Sequence, residues 1–148
     1  FNAHDMYFIG RNVDYAASLE ASLKLKEISY IHSEAYTAGE LKHGPISLLE
    51  DGTLVIAIAT YEKLFDKMMS NVREVKARGA VVLGITVRGR EEALKQETDY
   101  QFCVPDITDF MLPSLSILPL QLFAYYVASM KGCDIDKPRN LAKSVTVE

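Results

Sequence analysis

Thr53-Leu-Val-Ile-Ala-Ile-Ala59 is almost wholly apolar and partly β-branched, which is typical of a strand covered on both faces in a parallel sheet. A second run of this kind, Ala80-Val-Val-Leu-Gly-Ile-Thr-Val87, follows it. Between them, the segment from Glu62 to Arg78 repeats apolar residues at helical spacing, and Gly79 is well placed to end a helix. The centre of the chain therefore predicts a strand, a helix and a second buried strand.

The same alternation extends toward both ends of the chain. The further predicted strands are Met6–Ile9, Glu34–Thr37 and Tyr100–Val104, and the further predicted helices are Asp14–Ser29, Glu91–Thr98 and a long one that ends before Gly132. Strands that alternate with helices imply right-handed crossovers. We expect an α/β fold, a flavodoxin-like three-layer α/β/α sandwich with a parallel sheet of about five strands. A single domain is expected to span residues 1–148, because no repeat or linker interrupts them.

Composition narrows the class of protein. The 148 residues are 49% hydrophobic and 24% charged, which is typical of a soluble globular domain. The net charge is −4 and no basic run is long, so nucleic acid is not an expected partner. Two cysteines without a metal-type spacing favour a reducing cytoplasm. Because no zinc cluster, Walker loop or dinucleotide fingerprint occurs, no metal and no cofactor are expected.

The apolar segment from Phe110 to Met130 carries no formal charge and is long enough to cross a bilayer. Two prolines and several polar residues interrupt it, so we predict a buried core helix and no membrane span. The chain begins with Phe1 rather than Met, and we expect it to be a fragment of a longer protein.

Charged residues share one face of the first predicted helix. Glu20, Lys24 and Glu27 recur at helical spacing, so their charges can reach a common point. Without further information the pattern also fits an exposed ion-pair ladder worth a few tenths of a kcal/mol. The sequence leaves open whether a dry pocket keeps Glu27 protonated or Lys24 keeps it ionised.

Two further segments carry groups suited to chemistry. His43 precedes Gly44-Pro45, a rigid turn that would hold an imidazole at a fixed angle, although a loop histidine without a role is the alternative. The polar tail from Asp136 to Glu148 carries Lys143 between the small residues Ala142 and Ser144, and its alternative is a loose chain end.

These segments resemble one enzyme family. Leu19-Glu-Ala-Ser-Leu-Lys-Leu-Lys-Glu-Ile-Ser-Tyr30, Ala38-Gly-Glu-Leu-Lys-His-Gly-Pro45 and Lys137-Pro-Arg-Asn-Leu-Ala-Lys-Ser-Val-Thr-Val-Glu148 are similar to the C-terminal part of glucosamine-6-phosphate synthases. That family is also named glutamine:fructose-6-phosphate aminotransferase (isomerizing), a transferase. The resemblance covers essentially the whole chain and matches the C-terminal sugar isomerase (SIS) domain, in an enzyme that makes glucosamine 6-phosphate from fructose 6-phosphate and glutamine for amino-sugar synthesis.

The resemblance implies roles for the three sets of residues. Glu27 would move the proton between C1 and C2 of the sugar, with Glu20 and Lys24 organising the pocket. His43 would open the sugar ring in the active site of the adjacent subunit, which implies a homodimer. Lys143 would form a Schiff base with the keto group. Ala142 would offer backbone contacts to the sugar, while Arg139 and Asn140 would anchor the tail.

The sequence lacks one part of a sugar-phosphate site, a loop that could cradle the phosphate group. The turn after the central strand reads Thr60-Tyr61-Glu62-Lys63, with one useful hydroxyl and an acid close by, so we predict a poor phosphate site. In the resembled family, a preceding SIS domain holds the phosphate, and an N-terminal glutaminase domain supplies ammonia. We therefore expect this fragment alone to be inactive or nearly so.

Two rival functions remain open on the sequence. One is a deglycase or sugar-phosphate isomerase of the same fold, acting on fructosamine 6-phosphates; the ending Leu141-Ala142-Lys143-Ser144 favours the synthase. The other is a non-catalytic module that senses sugar phosphates. Such a sensor needs the phosphate loop but not the charged helix face, and this chain shows the opposite pattern.

Overall fold

The computed structural model describes residues 5–141. The strands are β1 Asp5–Gly10, β2 His32–Thr37, β3 Leu54–Ala59, β4 Val81–Val87 and β5 Tyr100–Val104. The α-helices are α1 Val13–Ser29, α2 Phe65–Lys76, α3 Glu91–Lys95 and α4 Leu112–Met130. Short 3-10 helices cover Leu41–His43, Pro45–Leu48 and Glu62–Leu64.

The five strands form one parallel sheet in the order β2-β1-β3-β4-β5. This is the flavodoxin-like order, in which the chain moves to one side of β1 and then to the other. The crevice between β1 and β3 at their carboxyl ends is therefore the switch point of the sheet, where α/β proteins commonly bind ligands. The parallel five-stranded fold predicted from the sequence is confirmed.

Helices cover both faces of the sheet, because successive residues of each strand point to opposite sides. Met6 and Phe8 of β1 pack in the core under α1 and α4. Tyr7 and Ile9 pack in the second core, together with buried residues of α2 and α3. Both cores are apolar, which explains why the central strands read as continuous hydrophobic runs.

Helix α1 places small side chains against the sheet. Its buried residues are Asp14, Ala17, Ser18, Ala21, Ser22, Leu25 and Ser29. The buried hydroxyls are all bonded: Ser22 Oγ donates to the carbonyl of Ser33 at 3.0 Å, for example. A buried hydroxyl without a partner would cost about 1–3 kcal/mol. The bond to Ser33 therefore fastens α1 to β2 in one position.

The turn from β1 into α1 depends on Gly10. A Cβ atom there would lie 2.4 Å from the carbonyl oxygen of Asp14, in the first turn of α1. Asn12 follows with a φ of 54°, as its tolerance of the left-handed region predicts. The chain thus reverses in very little space.

The prediction of a buried core helix is wrong for one face of α4. Leu120 and Ala124 face α1 and the sheet, but Leu122 and Tyr126 on the other side are 57% and 61% exposed. Within residues 5–141, nothing covers this second face. Helix α4 has the length and mean hydropathy, 1.2, of a membrane span, and only 28% of its apolar stretch is buried. Length and composition also fit a helix that packs through one face alone.

Two predicted helix boundaries shift. The helix predicted for Glu91–Thr98 ends at Lys95, and the Thr98 hydroxyl then donates to the carbonyl of Leu94 at 2.9 Å. The helix predicted to begin at Glu62 starts as a 3-10 turn and becomes α-helical at Phe65.

Candidate functional site

Lys24 lies between two carboxylates on α1. Its Nζ is 2.8 Å from Oε2 of Glu27 and 3.7 Å from Oε1 of Glu20. The hydrogen bond to Glu27 raises the pKa of Lys24, so the ammonium group stays charged. The ammonium group of Lys24 is thus flanked by the carboxylates of Glu20 and Glu27. The three residues predicted to share a helix face therefore do form one cluster, here called the α1 charge cluster (Glu20, Lys24 and Glu27).

The α1 charge cluster reaches the end of the helix. A helix that connects two parallel strands runs antiparallel to them, so α1 starts at the carboxyl edge of the sheet and ends at the amino edge. The register confirms this geometry, because His32, which follows α1, pairs with Asp5 at the start of β1. Glu27, in the last turn of α1, therefore lies at the amino edge.

The C-terminal tail returns to this same end of α1. The backbone N–H of Arg139 donates to the hydroxyl oxygen of Tyr30 at 2.8 Å. The guanidinium carbon of Arg139 lies 4.1 Å from the centroid of the Tyr30 ring. Tyr30 follows α1 directly, about one helical turn beyond Glu27. Asn140 is next along the tail, with a φ of 61°.

The remaining tail residues of the predicted site, Ala142 and Lys143, lie outside the described residues. Arg139 and Asn140 are the two tail residues of the predicted site that the structure describes. Of these, Arg139 contacts Tyr30. The structure thus brings the start of the predicted tail to the helix end that carries Glu27.

His43 lies at the opposite edge of the sheet. It ends the 3-10 helix Leu41–His43, which follows the carboxyl end of β2. Strand β2 has six residues, so the two edges are about 20 Å apart at the usual rise per residue. Within one copy of the chain, the structure does not bring His43 to Glu27.

The loop that carries His43 is well ordered by its own contacts. Leu41 is 1% exposed and anchors the loop in the core, while the imidazole of His43 is exposed. Gly44 has a φ of 151°, and its carbonyl oxygen accepts both the hydroxyl and the backbone N–H of Ser47, at 2.7 and 2.9 Å. The histidine is thereby presented outward from a fixed turn.

A carboxylate fills the switch-point crevice of the sheet. Oδ2 of Asp14 accepts the backbone N–H groups of Thr60 and Tyr61 at 2.9 and 3.0 Å, and Oδ1 accepts the hydroxyl of Thr60. Asp14 is 2% exposed. Burial raises its pKa to about 6, although these hydrogen bonds and Arg90 oppose the shift. Backbone N–H groups and a hydroxyl that could cradle an anion are thus already engaged.

Sequence reasoning missed Asp14 and pointed to the wrong acid beside Thr60. Glu62 is 78% exposed and pairs with Arg90 at 3.5 Å, whereas the donors of Thr60 bond Asp14. The sequence did contain a pattern that indicates Asp14. Its helical spacing from Ala17, Ser18 and Ala21 places it on the buried face of α1. An acid on the apolar face of a helix calls for a buried hydrogen-bond partner.

The cysteines and acids form no metal centre in the part of the chain that the structure describes. Cys103 and Cys133 are free, and burial raises the pKa of the Cys103 thiol. Over residues 5–141, no group of three or more His, Cys, Asp or Glu side chains is placed to hold a metal ion.

Comparison with protein families assigns this architecture. The family described as "SIS domain" matches residues 1–131, a range that includes every strand and helix from β1 to α4. The chain belongs to the SIS domain family. The resemblance found in the sequence is therefore confirmed at the level of the family.

Relatives of this SIS domain are longer proteins. The chain is 58% identical over 144 residues to a glutamine–fructose-6-phosphate aminotransferase (isomerizing) from Clostridium acetobutylicum. The match covers 97% of this chain but 24% of the relative. The chain thus spans about a quarter of the length of the curated relatives it matches.

Solved structures share the fold. The C-terminal domain of a glucosamine-fructose-6-phosphate aminotransferase from Francisella tularensis has a TM-score of 0.88 and 38% identity, covering 92% of this chain and 38% of that one. A glucosamine-6-phosphate deaminase from Thermotoga maritima has a TM-score of 0.78 and 30% identity, covering 98% of this chain and 41% of that one.

Proposed function

We propose that this SIS domain is the C-terminal half of the isomerase module of a glutamine:fructose-6-phosphate aminotransferase. The intact enzyme converts fructose 6-phosphate and glutamine to glucosamine 6-phosphate and glutamate. One observation carries the proposal: Arg139 docks on Tyr30, so the segment that leads to Lys143 starts beside Glu27. The similarity to aminotransferase relatives supports the choice of reaction.

The sugar must first be opened and held. His43 donates a proton to the ring oxygen as its bond to C2 breaks, and the C2 hydroxyl loses its proton to solvent, which leaves the keto group at C2; histidine is a common general acid. The amine of Lys143 attacks C2, and the carbinolamine loses water to form a Schiff base. Ammonia then displaces Lys143 at C2 and leaves the imine of the sugar. Ala142 contacts the sugar through its backbone, and Arg139 and Asn140 anchor the tail.

Glu27 then performs the isomerisation. Its carboxylate removes a proton from C1, and the electron pair forms the C1=C2 double bond of an enaminol while the C2=N double bond opens and its nitrogen takes up a proton from solvent. Glu27 then returns its proton to C2, the C1 hydroxyl loses its proton to solvent, and an aldehyde at C1 and an amine at C2 remain. Lys24 holds the Glu27 carboxyl group in place through its 2.8 Å contact, and Glu20 holds Lys24 from the other side.

The partner in this reaction is a second copy of the protein. His43 and Glu27 lie at opposite edges of the sheet, about 20 Å apart along β2. A His43 that serves the same sugar as Glu27 therefore has to come from another subunit. The exposure of His43 on a fixed turn supports donation across an interface between two copies.

Phosphate binding and ammonia supply belong to other parts of the protein. The switch-point cradle at Thr60 is taken by Asp14, so the phosphate group needs a site on a preceding SIS domain. The chain covers 38% of the Francisella C-terminal domain, which leaves room there for that second unit. A glutaminase domain supplies ammonia. On this proposal the fragment alone is inactive. The intact enzyme needs no cofactor and works in the cytoplasm.

Substitution of Glu27 tests the proposal in the full-length protein. Glu27→Gln should abolish formation of glucosamine 6-phosphate, a loss of about 10³-fold or more, while glutamine hydrolysis continues. Glu92→Gln, an exposed acid on α3, is the matched control and should keep both activities. Synthesis at the wild-type rate by Glu27→Gln would show that this carboxylate is not the base.

A deaminase or deglycase is the second candidate, favoured by the similarity to the Thermotoga enzyme. The two functions differ in direction, because a deaminase releases ammonia from an amino-sugar phosphate. Incubation of the full-length protein with glucosamine 6-phosphate separates them. Net release of ammonia without any synthesis from glutamine would favour the deaminase.

A further inference from the structure

Tyr30 ends α1 in a backbone conformation that does not suit its side chain. Its φ of 60° and ψ of 17° are left-handed, and its N–H caps the helix by donating to the carbonyl of Lys26. Glycine is the usual residue at this position of a helix end, because a Cβ atom is strained there. A bulky aromatic residue at such a place indicates that its side chain is needed.

The side chain of Tyr30 engages Arg139 in two ways. Its hydroxyl oxygen accepts the backbone N–H of Arg139 at 2.8 Å, and its ring lies under the guanidinium group at 4.1 Å. The first contact fixes the main chain of the tail and the second fixes the direction of the Arg139 side chain. Together they hold one residue of the tail at the end of α1.

The chain between α4 and Arg139 is shaped to reach this point. Oδ1 of Asp134 accepts the backbone N–H groups of Asp136 and Lys137 at 3.1 and 2.9 Å, which closes a turn after α4. Pro138 then restricts the backbone immediately before Arg139. The path of the chain from the end of α4 to Arg139 is therefore defined before it reaches Tyr30.

We propose that Tyr30 is a positioning residue that docks the C-terminal tail and so sets where Lys143 reaches. This inference rests on the proposed function of Lys143, although docking itself does not. From Arg139 to Lys143 the chain can extend at most about 14 Å. With the lysine side chain, a docked Arg139 therefore keeps the Lys143 amine within about 20 Å of the end of α1 that carries Glu27. Without the dock, the amine would sample a much larger volume.

Limited proteolysis with trypsin tests the docking without any assay of activity. The bond after Arg139 is a trypsin site, and its cleavage in the full-length protein releases the peptide that begins at Asn140, which mass spectrometry detects. Tyr30→Gly should raise the cleavage rate about tenfold, equivalent to about 1.4 kcal/mol. Tyr30→Phe, which keeps the ring, should give a smaller increase, of about threefold.

The glycine variant separates docking from a merely structural role. Glycine suits the left-handed backbone, so Tyr30→Gly should keep or raise the unfolding temperature while the tail is released. Tyr125→Phe, which removes a hydroxyl from an exposed tyrosine of α4, is the matched control and should leave cleavage unchanged. Cleavage of Tyr30→Gly at the wild-type rate would overturn the proposed dock.

Kinetics test the positioning of Lys143. In the full-length protein, Tyr30→Gly should lower kcat for synthesis about tenfold with little change in KM for fructose 6-phosphate, and Tyr30→Phe should restore part of it. If cleavage rises and Glu27→Gln is inactive while Tyr30→Gly synthesises normally, the positioning role is wrong. If Glu27→Gln also synthesises normally, the proposed function fails and the dock alone stands.

Discussion

Asp14 accepts the backbone N–H of Thr60 at 2.9 Å and so joins the first turn of α1 to the end of β3 across the switch point of the sheet. The hydroxyl of Thr60 and the N–H of Tyr61 bond the same carboxylate. The domain thus supplies its own anion to the place where α/β folds commonly bind ligands. This arrangement fits the proposed function, in which the phosphate group is held by another unit of the protein.

The stability of the fold should depend on the pH through Asp14. Its folded pKa of about 6 lies above the ordinary 3.8, so Asp14 favours folding most below about pH 4 and loses that advantage as the pH rises through 6. Between pH 4 and 7, the unfolding free energy of the wild type relative to Asp14→Asn should fall by on the order of 3 kcal/mol. Urea denaturation at several pH values measures it, and a constant difference would contradict the assignment.

Gly10 should be irreplaceable for a steric reason. Gly10→Ala places a Cβ atom 2.4 Å from the carbonyl oxygen of Asp14, so the β1–α1 turn must open, at a cost of more than about 2 kcal/mol. The matched control is Gly89→Ala, where φ is 94° and nothing lies within 4 Å. It should cost about 1 kcal/mol from backbone strain alone. Equal losses in thermal unfolding would argue against the close approach.

Complementation between two inactive variants should reveal the shared site. Glu27→Gln and His43→Ala full-length proteins are each expected to be inactive. In a mixed dimer, one site receives the intact Glu27 of one subunit and the intact His43 of the other. Random mixing, after dissociation and reassembly, should therefore restore about a quarter of the wild-type activity. No recovery, with mixed dimers verified by mass spectrometry, would place both residues in one subunit's site.

The secondary structure was predictable where burial repeats along the chain. The runs at Thr53–Ala59 and Ala80–Val87 led to β3 and β4 because a strand buried on both faces has few polar residues. The prediction of a buried helix was wrong for one face of α4 for a related reason. Its composition indicates a buried helix, but apolar composition does not reveal how many faces neighbouring elements cover.

The part of the candidate site that lies on one helix could be predicted from the sequence. Glu20, Lys24 and Glu27 come together because helical spacing alone places them on one face. Asp14 was missed although it lies on the same helix, because its partners Thr60 and Tyr61 are distant in sequence and adjacent only in the sheet. The contact between Tyr30 and Arg139 also requires the chain to return from α4.

The amino-acid sequence by itself determined the alternation of strands and helices, the α1 charge cluster and the turn that presents His43, since each depends on residues close along the chain. Only the tertiary structure decided that the tail reaches Tyr30, that His43 and Glu27 lie at opposite edges, and that Asp14 fills the cradle at Thr60. The reason is physical: side-chain periodicity is set by local backbone geometry, whereas distant groups meet only after strand order and helix packing have closed the chain on itself.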